Sequence, residues 1–191
     1  MTGKFSWKLN EIVILVILSV ALGVLFWAWT FVSALASPLS SIGVNYFLVG
    51  VWLMGGTLVP FIIRKPGAAL LGEMLAALIE GFITKWGITA LLWGLVQGAG
   101  AELVFAMARY KRWDLKIMLL AGVVSGVFSY VLDFVYSQYW SLQPWVWGVQ
   151  LVSVAVGGAF WAGFVGKQLG NGIIKTGAAN NLLSGNEIEN G

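Results

Sequence analysis

The sequence predicts an all-α membrane protein that crosses the bilayer six times. Of its 191 residues, 59% are hydrophobic and 10% are charged, and the mean hydropathy is +0.87. A soluble domain carries about 25% charged residues, and a chain of this size has one modest core that could not hide so much apolar surface from water. The 25 glycines and 11 tryptophans fit the same class, because glycine is tolerated in membrane helices and tryptophan favours the membrane interface.

The sequence contains no cysteine and no histidine. Their absence excludes disulfides, thiolate nucleophiles, zinc sites built from cysteine and histidine, haem or iron–sulfur ligation, and acid–base catalysis by histidine. With a single aspartate in the predicted spans, the familiar intramembrane nucleophile and metal arrangements also lack their residues. We therefore expect no cofactor, no bound metal and no catalytic residue, and an enzyme is the least supported class of function.

Six apolar runs are long enough to be membrane helices, which need roughly 20 residues. They lie, in order, at about residues 12–32, 46–63, 68–84, 88–108, 115–136 and 147–166. Turn-forming residues mark breaks at 37–38, 65–67, 86–87 and 143–144. If the third and fourth runs, which contain acids, did not cross the membrane, the chain would cross it four times. The length of these two runs favours helices that span the membrane. We predict a single transmembrane domain over residues 1–175 and a disordered polar tail over 176–191.

Basic residues fix the predicted orientation of these helices. Ten of the eleven lie at one end of the predicted bundle, and Lys85 alone falls at the other end. The ten are Lys4, Lys8, Arg64, Lys65, Arg109, Lys111, Arg112, Lys116, Lys167 and Lys175. Because basic residues collect on the cytoplasmic side of membrane proteins, this distribution places both termini in the cytoplasm.

Four acids fall inside the predicted spans: Glu73, Glu80, Glu102 and Asp133. Each costs about 2.5–3.5 kcal/mol at the membrane centre, so an intramembrane acid is a candidate functional residue. No lysine, arginine or histidine lies deep in any predicted span to pair with them. Their charge must be removed by protonation, by a cation at the membrane boundary, by water, or by a cationic ligand. The alternative for each acid is a protonated carboxyl that is bonded to a neighbouring helix.

Helical spacing predicts which acids meet. Glu73 and Glu80 lie seven residues apart, or two turns, so they share a face of the third span, with Glu80 about 6 Å from its outer end. Asp133 lies near the outer end of the fifth span, on a polar stripe with Ser129 and Tyr136. We therefore expect Glu80 and Asp133 to meet in the outer half of the membrane.

The fourth span supplies further candidates. Trp93 and Gln97 share a face in its outer half. Glu102 lies about 140° around the helix from Gln97, so it would join the same cavity only if the intervening glycines allowed a distortion. Otherwise we expect Glu102 to pair with Glu73, whose depth it matches.

Aromatic residues near these acids predict a wall of a binding site. A flat cationic ring would stack on an aromatic face while a carboxylate offset its charge. The alternative for each outer tryptophan is the aromatic belt that any membrane protein shows. The predicted substrate-binding residues are Glu73, Glu80, Trp93, Gln97, Glu102, Tyr130, Asp133, Tyr136 and Trp140.

Three groups of residues carry a family resemblance. The first is Arg64-Lys65-Pro66-Gly67-Ala68-Ala69, followed by Glu73 and Ala76-Ala77-Leu78-Ile79-Glu80. The others are Val96-Gln97-Gly98-Ala99-Gly100-Ala101-Glu102, and Asp133 with Tyr136. Together they resemble the YkoE family, whose members are membrane-embedded S components of energy-coupling factor (ECF) vitamin transporters. The resemblance covers nearly the whole chain apart from the tail.

The resemblance implies a six-helix subunit that binds thiamin or its hydroxymethylpyrimidine precursor, in the cytoplasmic membrane of a bacterium. It also implies two kinds of partner, a transmembrane scaffold subunit and cytoplasmic ATPase subunits. Many S components dock to the scaffold through an Ala-x-x-x-Ala pattern in span one, where this chain has only Ser19-x-x-x-Gly23. The acids leave a second hypothesis open, a self-sufficient carrier or channel in which they relay protons or small cations.

Overall fold

The computed structural model describes residues 6–177, and these form helices and turns without a strand. Lys4 and residues 178–191 of the predicted tail lie outside the described residues. The α-helices are α1 (Leu9–Leu35), α2 (Gly55–Ile63), α3 (Ala68–Ile83), α4 (Ala90–Met107), α5 (Leu115–Tyr136), α6 (Pro144–Gly157) and α7 (Gly166–Lys175). Short 3₁₀ turns in the connections are Ser37–Ser41, Gly87–Thr89 and Tyr139–Ser141.

Two of the long helical segments are not α-helical throughout. Val44–Leu53 is wound as a 3₁₀ helix and continues into α2, so the two together form one rod over Val44–Ile63. Gly158–Val165 is wound as a π-helix and joins α6 to α7. The last helical segment therefore runs to Lys175, nine residues beyond the predicted end of the sixth span.

Five segments in the described part of the chain are long and apolar enough to cross a membrane. They are Leu9–Leu35, Val44–Ile63, Gly87–Met107, Leu115–Tyr136 and Pro144–Lys175. The predicted third span corresponds to α3, which has 16 residues and contains two buried acids. Length and composition thus support a polytopic helical membrane protein, while the crossing of α3 stays a prediction.

The helix α3 packs against α1, α2 and α4. Small residues allow this close packing: a Cβ on Gly23 would lie 2.7 Å from the Ala76 carbonyl oxygen, and the Ser19 hydroxyl donates to the Gly72 carbonyl at 3.2 Å. The Ser19-x-x-x-Gly23 pattern of α1 is therefore used inside this chain, against α3. It is not an open surface for a partner.

The start of α1 is tied to the connection between α2 and α3. The backbone N–H of Lys8 donates to Oε2 of Glu11 at 2.7 Å, and Lys65 Nζ lies 2.8 Å from the same oxygen. Lys65 Nζ also donates to the Ser6 carbonyl at 2.8 Å. Both side chains of the ion pair are buried. Lys65, predicted only as a marker of orientation, is thus also a structural cross-link.

Candidate functional site

A cavity of about 350 Å³ lies at the end of the bundle where α1, α3 and α5 finish. Its walls come from α1, the Val44–Leu53 segment, α3, α4, α5 and the connections that follow α3 and α5. A volume of this size is in the range of small-molecule sites, which are about 300–1,000 Å³. Six of the nine predicted substrate-binding residues line it: Glu73, Glu80, Trp93, Gln97, Asp133 and Tyr136.

Asp133, at the mouth of the cavity, is held by two aromatic donors. Trp93 Nε1 donates to Oδ1 of Asp133 at 2.6 Å, and the Tyr46 hydroxyl is 3.2 Å from Oδ2. Tyr46 is also 2.9 Å from the Tyr139 hydroxyl. The carboxylate therefore joins α4, α5 and the Val44–Leu53 segment, and neutral donors rather than a cation engage both of its oxygens.

Glu80 is the second acid of the cavity. Trp52 Nε1 donates to Oε1 of Glu80 at 2.9 Å, which links α3 to the Val44–Leu53 segment. The arrangement repeats that of Asp133, because an acid from one helix again accepts a hydrogen bond from an aromatic side chain of the same segment. Lys85, the one basic residue predicted at this end of the bundle, lies over the Trp86 ring at 5.2 Å.

Glu73 lies two turns below Glu80 on α3, about 10 Å deeper at 1.5 Å per residue. It is fully buried, and Oε2 accepts a hydrogen bond from the backbone N–H of Gly56 at 2.5 Å. Its other oxygen, Oε1, is buried without a hydrogen-bond partner, as is Oδ1 of Asn45 in the cavity wall. The cavity thus holds two buried oxygens, Oε1 of Glu73 and Oδ1 of Asn45, that no protein donor satisfies, so water or a ligand in the cavity can donate to them.

Gln97 and Ser129 form a polar bridge across the α4–α5 face of the cavity. Gln97 Nε2 donates to the Ser129 hydroxyl at 2.9 Å, and Ser125 donates to the Gln97 carbonyl at 2.8 Å. All three side chains are buried. The polar stripe predicted on α5 therefore faces α4 and the cavity, with Tyr136 placed against the Trp93 ring at a centroid distance of 4.7 Å.

Three predicted substrate-binding residues do not line the cavity. Tyr130 packs behind its wall: its ring meets Tyr46 edge to face at 5.7 Å, and its hydroxyl is 3.2 Å from Oε1 of Gln150. Trp140 is exposed and lies near Phe134. The structure thus gives Tyr130 a packing position and leaves Trp140 at the outer surface of the bundle.

Glu102 is the third of these residues, and the pairing with Glu73 that we considered is wrong. Its carboxylate accepts hydrogen bonds from the backbone N–H groups of Gly67, Ala69 and Leu70, at 2.6, 3.0 and 3.2 Å. These donors belong to the beginning of α3, where a helix leaves N–H groups unsatisfied and attracts negative charge. Glu102 is therefore a cap for α3 that is supplied by α4.

Tyr110 completes this cap. Its hydroxyl donates to Oε1 of Glu102 at 2.7 Å. Burial, followed by the hydrogen bond to the carboxylate, raises the pKa of Tyr110, so the phenol remains protonated and keeps its donor. The connection between α4 and α5 is thereby fixed to the start of α3.

Sequence reasoning missed Tyr46, Trp52 and Asn45, which the Val44–Leu53 segment contributes to the cavity. Asn45 left no signal in the spacing, but Tyr46, Val49 and Trp52 recur every three residues, which is the period of a 3₁₀ helix. In an apolar run this pattern is not distinguishable from ordinary helix packing. Only the winding of the segment shows that all three face the cavity.

The cavity combines acids, acceptors and aromatic rings, and no lysine or arginine is among the described residues that line it. Such a lining suits a ligand that is cationic, rich in N–H donors and flat, because carboxylates offset positive charge and rings stack on rings. No three acids, histidines or cysteines come together as a metal site in residues 6–177.

Comparison with known proteins identifies the family to which this chain belongs. Residues 10–128 match the family described as the permease component of an ABC-type cobalt transport system. The HMP/thiamine permease protein YkoE of Bacillus subtilis (strain 168) is 35% identical over 186 residues, which are 96% of this chain and 93% of the relative. The crystal structure of an S component of an ECF transporter matches with a TM-score of 0.88 and 34% identity, over 97% of this chain and 94% of the other.

The helical membrane bundle and these likenesses define the class of the protein as an S component of an ECF transporter, a substrate-binding permease subunit and not an enzyme. Within that class, the chain belongs to the YkoE family. The resemblance found in the sequence motifs is thereby confirmed.

Proposed function

We propose that this protein captures thiamin or its hydroxymethylpyrimidine precursor for an ATP-driven ECF importer. The observation that carries the proposal is the cavity in which Glu73, Glu80 and Asp133 meet aromatic rings without a basic residue. The name of the Bacillus subtilis relative, an HMP/thiamine permease, supports the same two ligands. Thiamin joins a flat thiazolium cation to a flat aminopyrimidine ring, so it matches both the charge and the donors that such a lining favours.

The three acids would serve different parts of the ligand. Both oxygens of Asp133 already accept hydrogen bonds from Trp93 and Tyr46, so this acid would act mainly through its charge, on the thiazolium ring. The unsatisfied oxygens of Glu73 and Asn45 would instead accept hydrogen bonds from the aminopyrimidine. Glu80, with Oε1 engaged by Trp52, would be the third acid to face the ligand.

The proposal places the protein in the cytoplasmic membrane of a bacterium, with six spans and both termini in the cytoplasm. The distribution of basic residues supports this orientation. The cavity would then open to the outside, from which the ligand is captured. Release to the cytoplasm would require a transmembrane scaffold subunit and ATPase subunits, which would supply the energy.

Titration of the purified protein with thiamin, hydroxymethylpyrimidine and riboflavin tests the proposal. We expect thiamin and hydroxymethylpyrimidine to change the tryptophan fluorescence and to release heat in calorimetry, because Trp52, Trp86 and Trp93 line the cavity. Riboflavin serves as the control and should give neither signal. A folded protein that binds neither thiamin nor hydroxymethylpyrimidine would contradict the proposal.

Transport by the protein alone separates this function from the self-sufficient carrier. Liposomes that contain only this chain should show no ion-driven thiamin uptake, whereas liposomes that also contain the scaffold and ATPase subunits should accumulate thiamin when ATP is supplied. Uptake driven by a proton or sodium gradient in the absence of partners would favour the carrier hypothesis.

A further inference from the structure

The Val44–Leu53 segment has an unusual winding. It forms ten residues of 3₁₀ helix inside a rod that crosses the bundle. Runs of 3₁₀ helix longer than three or four residues are uncommon because their hydrogen-bond geometry is poorer than that of an α-helix, and a stretch inside a longer helix often marks a hinge. The packing around the segment therefore holds it in a 3₁₀ winding that is less favourable than an α-helix.

This winding determines which side chains reach the cavity. A 3₁₀ helix turns about 120° per residue, so Tyr46, Val49 and Trp52 lie one above another on one face. An α-helix turns about 100° per residue, and Tyr46 and Trp52 would then point about 120° apart. In the α-helical form, Tyr46 and Trp52 could not both keep their hydrogen bonds to Asp133 and Glu80.

A crossing of glycines holds the segment in place. A Cβ on Gly50 would overlap the Gly157 carbonyl, and a Cβ on Gly157 would overlap the Phe47 carbonyl. Gly157 immediately precedes the π-helix, whose Ala162 carbonyl accepts a hydrogen bond from the Thr57 hydroxyl at 2.8 Å. The narrow 3₁₀ segment therefore lies backbone to backbone against the helix that widens into a π turn.

We propose that the 3₁₀ winding of Val44–Leu53 is the ligand-binding form of this protein, and that rewinding to an α-helix releases the ligand. The proposal rests on the ligand capture described above, since it names the element that changes the affinity of that site. Rewinding removes the Tyr46 and Trp52 donors from the two acids and separates the aromatic wall from them. At about 2.0 Å per residue against 1.5 Å, it also shortens the ten-residue segment by about 5 Å.

Distances between spin labels test the two windings directly. The chain has no cysteine, so Val44→Cys and Met107→Cys introduce only the labelled pair. Both positions are exposed, and they lie towards opposite ends of the bundle. The pair Val131→Cys and Met107→Cys joins α5 to α4 and serves as the reference, because neither helix contains the segment.

In lipid nanodiscs without ligand, we expect two distances for the Val44 pair, about 5 Å apart, and thiamin should leave only the longer one. The reference pair should not change. A single distance that is the same with and without thiamin would overturn the proposal. If calorimetry shows that thiamin does not bind, the proposed function fails, and the ligand-free distances alone decide whether two windings exist.

Substitution of the crossing glycine gives a second test. Gly50→Ala is incompatible with the crossing at Gly157, whereas Gly148→Ala meets open space in α6 and is the matched control. If Gly50→Ala reduces the binding-competent fraction to about a tenth, the apparent Kd for thiamin rises about tenfold, and the control keeps its affinity. Equal affinities would show that the crossing does not hold the binding form. The distance of the reference pair, measured in the Gly50→Ala background, reports whether the variant is folded. If the variant is not folded, the Val44 distances in the parent chain decide the proposal.

Discussion

The indole of Trp52 donates a hydrogen bond to the carboxylate of Glu80 over 2.9 Å, from the Val44–Leu53 segment to the helix α3. Neither residue is placed by a loop, so their contact depends on the packing of two helices. Asp133 has the same relationship to Tyr46. Both acids thus accept a hydrogen bond from an aromatic donor of the Val44–Leu53 segment, and Asp133 accepts a second one from Trp93 of α4.

Removal of the Trp52 donor should weaken thiamin binding. Trp52→Phe keeps an aromatic ring but loses the hydrogen bond to Glu80, and hydrogen bonds to charged groups contribute about 1.5–3 kcal/mol. We expect the Kd for thiamin, measured by calorimetry, to rise about tenfold or more. Trp145→Phe, on the exposed surface of α6, is the control and should bind normally. Equal affinities of the two variants would exclude an orienting role for Trp52.

Neutralisation of Asp133 should distinguish the two ligands. Asp133→Asn keeps the size of the side chain and removes the charge, and a charge pair at 4 Å is worth about 4 kcal/mol at an effective dielectric constant of 20. The affinity for cationic thiamin should therefore fall at least about tenfold, while the affinity for uncharged hydroxymethylpyrimidine changes little. Competition titrations of both ligands on the same preparation give the ratio of the two Kd values, for thiamin and for hydroxymethylpyrimidine. A parallel loss for both would mean that Asp133 acts through hydrogen bonds instead of charge.

Glu102 should contribute to stability and not to ligand affinity. Glu102→Gln weakens the cap of α3, and we expect the free energy of unfolding to fall by about 2 kcal/mol. Tyr110→Phe removes one neutral donor and should cost about 1 kcal/mol. Because both changes affect one hydrogen bond, the double variant should lose less than the sum of the two.

Denaturant unfolding of these variants in detergent gives the stabilities, and calorimetry of the folded fraction gives the affinity. The Kd for thiamin should stay within the error of the parent protein. A clear loss of affinity in folded Glu102→Gln would restore Glu102 to the binding site that the sequence predicted.

Removal of one partner of the buried ion pair between Lys65 and Glu11 should lower the stability more than removal of both partners. Lys65→Met leaves a buried carboxylate without its cation, which should lower the free energy of unfolding by about 3 kcal/mol. Adding Glu11→Gln should restore much of this loss, because the uncompensated charge is then gone. Arg112→Met, which breaks an exposed ion pair with Asp114, is the control and should unfold like the parent. If Lys65→Met were as stable as this control, the cross-link would contribute nothing.

Much of the site was predictable because acids in apolar helices stand out. Glu73, Glu80 and Asp133 were found by their cost in a membrane, and helical spacing put Glu80 and Asp133 along the same cavity. The same spacing argument could have removed Tyr130, since it follows Ser129 and therefore points about 100° away from the polar stripe. Trp140 lies in the connection between α5 and α6, where the spacing of a regular α-helix does not predict the direction of a side chain.

Other features depend on contacts that a single sequence does not contain. Glu102 caps a helix that begins more than 30 residues earlier, so its partners are set by how α3 and α4 pack. The 3₁₀ segment meets the start of the π-helix at the close approach of Gly50 to Gly157, which is a property of two distant segments. An apolar run shows that a helix forms and not which winding it takes.

The hydrogen bonds of Asp133 and Glu80 have a consequence for the empty protein. In the 3₁₀ winding of Val44–Leu53, their carboxylates are already fixed in direction by Trp93, Tyr46 and Trp52, so a ligand that enters meets side chains that have lost most of their rotational freedom. The entropy cost of ordering these groups is met when the chain folds and not when the ligand binds. In this winding the cavity is therefore preorganised, which favours capture of a ligand at low concentration.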